Sequence, residues 1–327
     1  GMDWIPPMEP IITKTLISGP EWIHQIKWDG IRGMTYYESD SDNGALHIFT
    51  KKGRDRTLFY PELHHVKDLI RGKNAVLDGE MVVLGEGGRP TFQLSLIRER
   101  VGNPDRLAYY TRMYPVAYIL FDILYLNDHP LTGLPLKQRR EILRNTVMVP
   151  TGSNIAITDD FGDGRGLFDL MKEKNWEGIV SKKMDSPYLP AKNHKAWYKY
   201  KTLKKILTAV CGIQWKDNFP NSLALGIRRE DQWVYVGKAS LGLTQEDLEN
   251  LKEFSDVRKV GECPFPDALR LYARDLSGTI IWLEPEITCW IRFLEWTGDG
   301  LLRHPRILGF TSFKAEEADG KEWSMNG

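Results

Sequence analysis

Residues 24–34 read HQIKWDGIRGM, and they set Lys27, Asp29, Gly30 and Arg32 within six positions of a stretch whose texture is otherwise that of a strand. Two readings compete for it. In one, Lys27 and Asp29 stand on the solvated face of a strand and Asp29-Gly30 turns a hairpin. In the other, a lysine nucleophile and its phosphate and ribose partners are arranged around a tight turn. A short pattern of this kind does not decide by itself, so the rest of the chain must.

A chain of 327 residues, 42% hydrophobic and 27% charged, has the composition of a soluble globular protein and length for two cores. Its 44 basic and 44 acidic residues leave a net charge of zero, so any polyanion site has to come from local segregation of charge. Cys211, Cys263 and Cys289 are far apart and lack C-x-x-C spacing, which suggests neither a zinc cluster nor a disulfide framework and fits a reducing cytosol. No apolar run approaches membrane-spanning length. The N-terminus GMDWIPPMEP has no signal pattern, and Met2 is expected as the native start.

From Glu21 to about Lys205 strand-like runs alternate with helical ones, an α+β texture. The candidate strands are EWIHQIKWDG, ALHIFTKKG, NAVLDGEMVVLG, PVAYILFDILYL and EGIVSKKM; helices are expected at Pro61 to Ile70, in LPLKQRREILRNTV and in GLFDLMKEKN. Beyond about Thr202 the strands come closer together, with one helix, TQEDLENLKEFSD, after the third and a hairpin tip at Glu230-Asp231. That is the order of a small OB-type barrel. The expected domains are 1–203 and 204–327.

Four further stretches carry chemistry. LDGEMVVL puts Asp78 and Glu80 on one face of a strand, where solvated acids are the plainer explanation. EGIVSKKM sets Glu177 at the head of a β-rich run. WYKYK alternates, so Trp197, Lys199 and Lys201 share one face and Tyr198 and Tyr200 the other. Two lysines on one face repel each other, which is useful opposite a phosphate. YILFDILYL embeds Asp122 in an apolar run, where the carboxylate needs a partner or an open strand end.

The series K-x-D-G-x-R, TKKGRD, DGE, FD, EGIVSKK and KYK, in that order, resembles the covalent nucleotidyltransferase superfamily and, within it, ATP-dependent DNA ligases. The stretches LTGLPLKQRREIL and WLEPEITCWIRFLEWTGDGLLRHPRILGF are most similar to the ligase domain of the bacterial end-joining ligases. The resemblance covers nearly the whole chain. It implies a nucleotidyltransferase (ATP-grasp-like adenylation) domain followed by an all-β OB-fold barrel, acting in bacterial DNA repair, recombination or end joining.

The reaction of that family passes AMP from ATP to a lysine, then to a 5′-phosphate, and a 3′-hydroxyl finally displaces it. Free lysine has a pKa of about 10.4, so neighbouring cations are needed to give a neutral amine. The resemblance assigns the nucleophile to Lys27, with Asp29, Lys199 and Lys201 as its catalytic company. Gln25, Arg32, Lys51, Glu80, Phe121, Lys199 and Lys201 would hold the nucleotide: Phe121 by stacking, Arg32 and Glu80 at the sugar, the two lysines at the α-phosphate. Glu177 and Glu80 would bind Mg²⁺ or Mn²⁺.

Three positions depart from the family pattern. Gln25 stands for a glutamate, keeping an oxygen that can accept from the adenine amine; Asn193 stands for an arginine; and in TSFK, Thr311 and Phe313 stand for an arginine and an aspartate, with Lys314 kept. Arg303 or Arg306 is the candidate replacement.

Residues 181–205 carry many lysines with Asp185 as the single acid, which suggests salt-sensitive contact with backbone phosphates of duplex DNA. Lys182, Lys183, Lys192, Lys195 and Arg303 are the candidates. A Ku-like end-binding ring is an expected partner, and a monomer in the bacterial cytosol is the expected state. Two rivals remain: an RNA ligase or capping guanylyltransferase, and a nick-binding protein that has lost the first step.

Overall fold

The computed structural model describes residues 2–39, 45–190, 195–242 and 244–325, and the chain divides into two compact units, Gly1–Lys201 and Thr202–Gly327. Among the described residues the first unit contains two sheets. The smaller runs Ile11–Ile12, Trp197–Lys201, Gly178–Lys183, Trp22–Ile26 in spatial order, antiparallel except for its first pair. The larger runs Ala45–Phe49, Ile31–Glu38, Asn74–Val83, Val116–Leu126, His129–Pro130, and Ile155–Ile157 lies parallel to Val116–Leu126.

Period-2 alternation along Asn74–Val83 sorts the layers. Ala75, Leu77, Met81 and Val83 pack with Tyr118 and with Leu143 of helix Leu136–Thr146. Val76 turns the other way, into a core with Met34, Tyr188 and Trp197 that joins the two sheets. Asp78 and Glu80 follow in the phase of Val76, so the alternation that builds the core also carries two acids into the space between the sheets. Helix Gly164–Glu173 covers the far face of the smaller sheet through Leu167, Phe168 and Met171 against Ile179.

The opening stretch is not a hairpin. Trp22–Ile26 belongs to the smaller sheet and Ile31–Glu38 to the larger, so Asp29-Gly30 carries the chain from one to the other. Gly30 is demanded by close approach: a Cβ there would lie 2.2 Å from the Met81 carbonyl oxygen.

The helix expected over 61–70 is broken into a 3-10 turn, Pro61–Leu63, and one α turn, Val66–Leu69. Ile70 leaves it to bridge Val147, and Arg71 N–H donates to the Thr146 carbonyl, so tertiary pairing overrides the local period. Helices Phe92–Glu99 and Pro104–Met113 were not expected. The second carried a legible start, Asn103-Pro104, in which the Asn103 side chain accepts from Asp105 N–H at 3.0 Å.

The second unit is organised along one strand, Lys204–Lys216. Its first half pairs with Thr288–Phe293 and Glu322–Ser324, its second with Phe219–Arg229 and Thr279–Leu283. Asp217 and Asn218, both at positive φ, turn the first hairpin and Glu230 the second. Helix Gln245–Arg258 follows the third strand, Gln232–Ser240. Arg306–Thr311 pairs with Thr288–Phe293, which completes the expected OB order. The expected closed barrel is corrected on one point: among the described residues no ladder joins Gln232–Ser240 to Arg306–Thr311. Between them lies a groove lined by Ser240, Leu241, Arg292, Arg306, Leu308 and Phe310.

Candidate nucleotide site

Lys27 continues the register of its strand, its N–H donating to the Gly178 carbonyl at 3.0 Å, and its Nζ reaches Glu177 Oε1 at 3.2 Å. Lys201, from the other neighbour of Gly178–Lys183, reaches the same oxygen at 2.8 Å. Gly178 allows this crowding: its φ is +152, and a Cβ would meet the Tyr200 carbonyl at 2.2 Å. Two ammonium groups around one buried carboxylate leave local positive charge, which suits an incoming phosphate.

Above this cluster lies a slot of about 90 Å³, lined by Gln25, Arg32, Glu80, Phe121, Lys182 and Trp197 together with Lys27. Its size suits a flat ring and not a whole nucleoside triphosphate. Trp197 and Lys201 face this side while Tyr198 meets Trp22 and Tyr200 stacks on Phe168 at 4.4 Å, as the WYKYK alternation requires; Lys199 is in phase with the first pair.

Arg32 is fixed by a fork of two 2.7 Å bonds to Asp78 and a third to the Met8 carbonyl. Tyr188 donates to the same Asp78 carboxylate at 2.6 Å. Asp78 is therefore a wholly buried anchor, not a solvated acid. Burial opposes the Arg32 charge, yet Asp78 beside it holds the guanidinium ionised more firmly than in free arginine.

Burial pushes the Glu80 carboxyl up to about 7 against the pull of Lys27 and Arg32, and the charges of Glu177 and Asp78 add to the rise. The folded chain thus binds this proton more tightly than the unfolded chain, and loses stability as pH climbs from the ordinary value of 4.5 through about 7. Glu80→Gln, which mimics the protonated acid, is expected to melt like the wild type near pH 4.5 and to be more stable at pH 8 by about 2 kcal/mol, discounted for partial exposure. Equal melting temperatures at pH 8 would remove the claim.

Not every expected residue is brought here. Lys51 sits in an exposed turn with Nζ 2.6 Å from Glu9 and does not line the slot. Asp29 occupies the crossing between sheets, also outside the lining. Asp122 has found its partner in Arg139. The basic stretch is largely reassigned. Lys182, expected on DNA, is buried in the slot; Lys204 is buried against Glu322 at 3.1 Å; Lys205 lies over Trp290. Lys183 and Lys195 remain on the surface, while Lys192 and Asn193 fall outside the described residues. Arg303 lies 3.5 Å from Glu295, and the cations lining the groove of the second unit are instead Arg292 and Arg306.

The ATP dependent DNA ligase domain model matches residues 8–201, and the ATP dependent DNA ligase C terminal region matches residues 216–312. The chain belongs to the ATP-dependent DNA ligase family. It is 30% identical over 298 residues to the multifunctional non-homologous end joining protein LigD of Mycobacterium bovis, covering 90% of this chain and 36% of that one. The LigD of Mycolicibacterium smegmatis is likewise 30% identical, over 91% of this chain and 37% of its own. The chain thus spans about a third of the length of these relatives. A solved mycobacterial DNA ligase D complexed with ATP and MES superposes with a TM-score of 0.54 at 27% identity, over 96% of this chain and 97% of that one.

At TSFK, where the sequence is expected to depart from the family pattern, the residues build a local turn. Thr311 meets the Thr288 hydroxyl and accepts from Phe313 N–H at 3.0 Å, and Lys314 N–H donates to Glu317 at 2.8 Å. Sequence reasoning gave no role to Trp28, which lines the slot and donates to Thr158 at 3.0 Å, or to Asp160, which accepts from Gln25 at 2.8 Å. For Trp28 the signal was available, since it lies between Lys27 and Asp29.

Proposed function

We propose that this ligase joins breaks in duplex DNA through a covalent AMP on Lys27. The observation that carries the proposal is the placement of Lys27 Nζ at a base-sized slot, sharing Glu177 with Lys201. Phe121 supplies a ring for adenine to stack on, and Arg32, anchored on Asp78, presents a fixed edge to the sugar. The ammonium of Lys27 must lose its proton before it attacks the α-phosphorus. The bond from that phosphorus to the pyrophosphate then breaks, and Lys199 and Lys201 neutralise charge on the phosphate oxygens. A 5′-phosphate takes the AMP from the lysine, and a 3′-hydroxyl releases it as the strand closes.

Among the described residues no cluster of three or more His, Cys, Asp or Glu side chains could hold a metal. Mg²⁺ in nucleotide enzymes needs only one or two carboxylates and takes phosphates for the rest, and Glu80 and Glu177, whose charges oppose each other, fit that pattern. Once bound with ATP it would neutralise charge on the leaving pyrophosphate. Duplex DNA is assigned to surface cations, with Lys183 and Lys195 in the first unit and Arg292 and Arg306 in the second as candidates. Action as a monomer in the bacterial cytosol, with a Ku-like ring bringing ends together, extends the same proposal. Among the described residues no helix is long and apolar enough to cross a membrane.

The test is intact mass after Mg²⁺ with ATP or GTP, followed by sealing of nicked DNA and nicked RNA. An AMP adduct and a sealed DNA nick are expected. A GMP adduct, or preference for RNA, gives the protein to the capping or RNA-ligase reading; DNA binding with no adduct gives it to the nick-binding one.

A further inference from the structure

Trp4 is 40% exposed on the first unit, yet it is held in place. Its indole stacks on Tyr36, with ring centroids 5.8 Å and planes 24° apart, and Phe49 meets it edge-on at 5.6 Å. The next residue, Ile5, donates its N–H to the Tyr36 hydroxyl at 2.8 Å, which fixes the backbone beside the ring. Tyr36 in turn belongs to the core that joins the two sheets. Tryptophan is highly buried on average, so an indole that is pinned and still open is a ready stacking surface.

A tight turn runs along the edge of that ring. Gly53 N–H donates to the Thr50 carbonyl at 2.8 Å and Thr50 N–H to the Arg54 carbonyl at 2.9 Å. At Gly53, where φ is +82, an added Cβ would have only Trp4 within reach, at 3.7 Å. Lys52 and Arg54 flank this glycine, both exposed and neither with an acid partner among the described residues. The acids close by in sequence are engaged elsewhere. Glu9 holds Lys51, Asp55 holds Thr57 and His47, and Asp3 borders a recess with Tyr125 and Pro130. In a chain with no net charge, two unmatched cations on either side of one ring contact are local segregation of charge.

We infer that Trp4, Lys52 and Arg54 form a site for an unpaired stretch of DNA, in which a base stacks on the indole and the cations take the adjoining phosphates. The inference rests on the DNA reading given above and narrows its substrate to breaks whose ends carry single-stranded overhangs. Inside a duplex each base face is covered by the next pair, so an indole finds a partner only where a base is unpaired or terminal. Two cations beside the ring favour a polyanion over an apolar protein segment. Stacking is indifferent to the identity of the base, so the site should bind overhangs of any sequence.

The test measures binding, by fluorescence anisotropy at fixed salt, of a blunt duplex, the same duplex with a short overhang, and that duplex with the overhang made abasic. The abasic form keeps the phosphates and loses the rings. A stacked base is worth roughly five- to a hundredfold, so the wild type should bind the normal overhang more tightly than the abasic one by that factor. Trp4→Ala should close the gap and Trp4→Phe keep most of it. Lys52→Gln with Arg54→Gln should weaken both overhang forms and leave the gap between them; unchanged binding there overturns the phosphate half of the inference. Equal binding of the two overhangs by the wild type, or a gap that survives in Trp4→Ala, overturns the whole. If Trp4→Ala does not fold, photocross-linking of 5-iodouracil in the overhang to the wild type decides: a link to Trp4 is expected, and a link only to other residues overturns the site. A wild type that binds none of the three DNAs overturns the DNA reading instead.

Discussion

Lys27→Ala is expected to form no AMP adduct and to lose sealing of an ordinary nick by at least about 10⁴-fold, the scale on which deleting a covalent nucleophile is felt. The loss should be confined to the steps in which the lysine carries AMP. Given a nick whose 5′-phosphate is already adenylylated, the variant has only to align a 3′-hydroxyl with that phosphorus, and the other cations of the site are still present. Lys201 keeps its 2.8 Å contact with Glu177, which relieves that carboxylate of isolation, so the fold should hold. Gel assays with plain and preadenylylated nicks separate the cases. Equal loss on both substrates would mean that Lys27 serves the architecture of the site, and an adduct on the variant would place the nucleophile elsewhere.

Arg139→Leu is expected to cost about 3–5 kcal/mol of stability, because it strands a buried charge. Arg139 forks Asp122 at 2.8 and 3.2 Å, both side chains are inaccessible to solvent, and the same guanidinium donates to the carbonyls of Leu134 and Ser186. Asp122→Leu combined with Arg139→Leu should recover part of the loss, since neither charge is then buried. Urea unfolding of the single and the double variant measures both effects. A double variant that recovers none of the loss would show that Arg139 acts through its carbonyl contacts alone.

The lining of the candidate slot was legible because its residues come from short motifs on strands, where period 2 states which side chains share a face. Trp197 with Lys201, and Asp78 with Glu80, needed no more than counting. The partners of those residues were not legible. Asp78 looks like a solvated acid until a fork from Arg32 is drawn across 46 positions, and Asp122 and Arg139 are 17 apart. Charge density misled in the basic stretch, since a run of lysines does not announce which of them enter cores or slots; the phase shared by Val180 and Lys182 would have shown it. Local signals also failed at Asp29-Gly30, where a hairpin and a crossing between sheets use the same residues, and only the distant Met81 carbonyl tells them apart.

That crossing couples two things usually adjusted separately. The shortest covalent path between the two sheets is the stretch from Ile26 to Ile31, and Lys27 and Arg32 sit at its opposite ends. The path is pinned midway, where Gly30 rests against Met81 with no room even for a methyl group. If Lys27 attacks and Arg32 faces the sugar as proposed, any breathing of the sheets wide enough to let a purine in or out would also change the spacing between those two groups. Nucleotide exchange and chemical readiness would then be one mechanical coordinate, and a variant that releases its nucleotide more freely by loosening this stretch is expected to do so with a poorer aim.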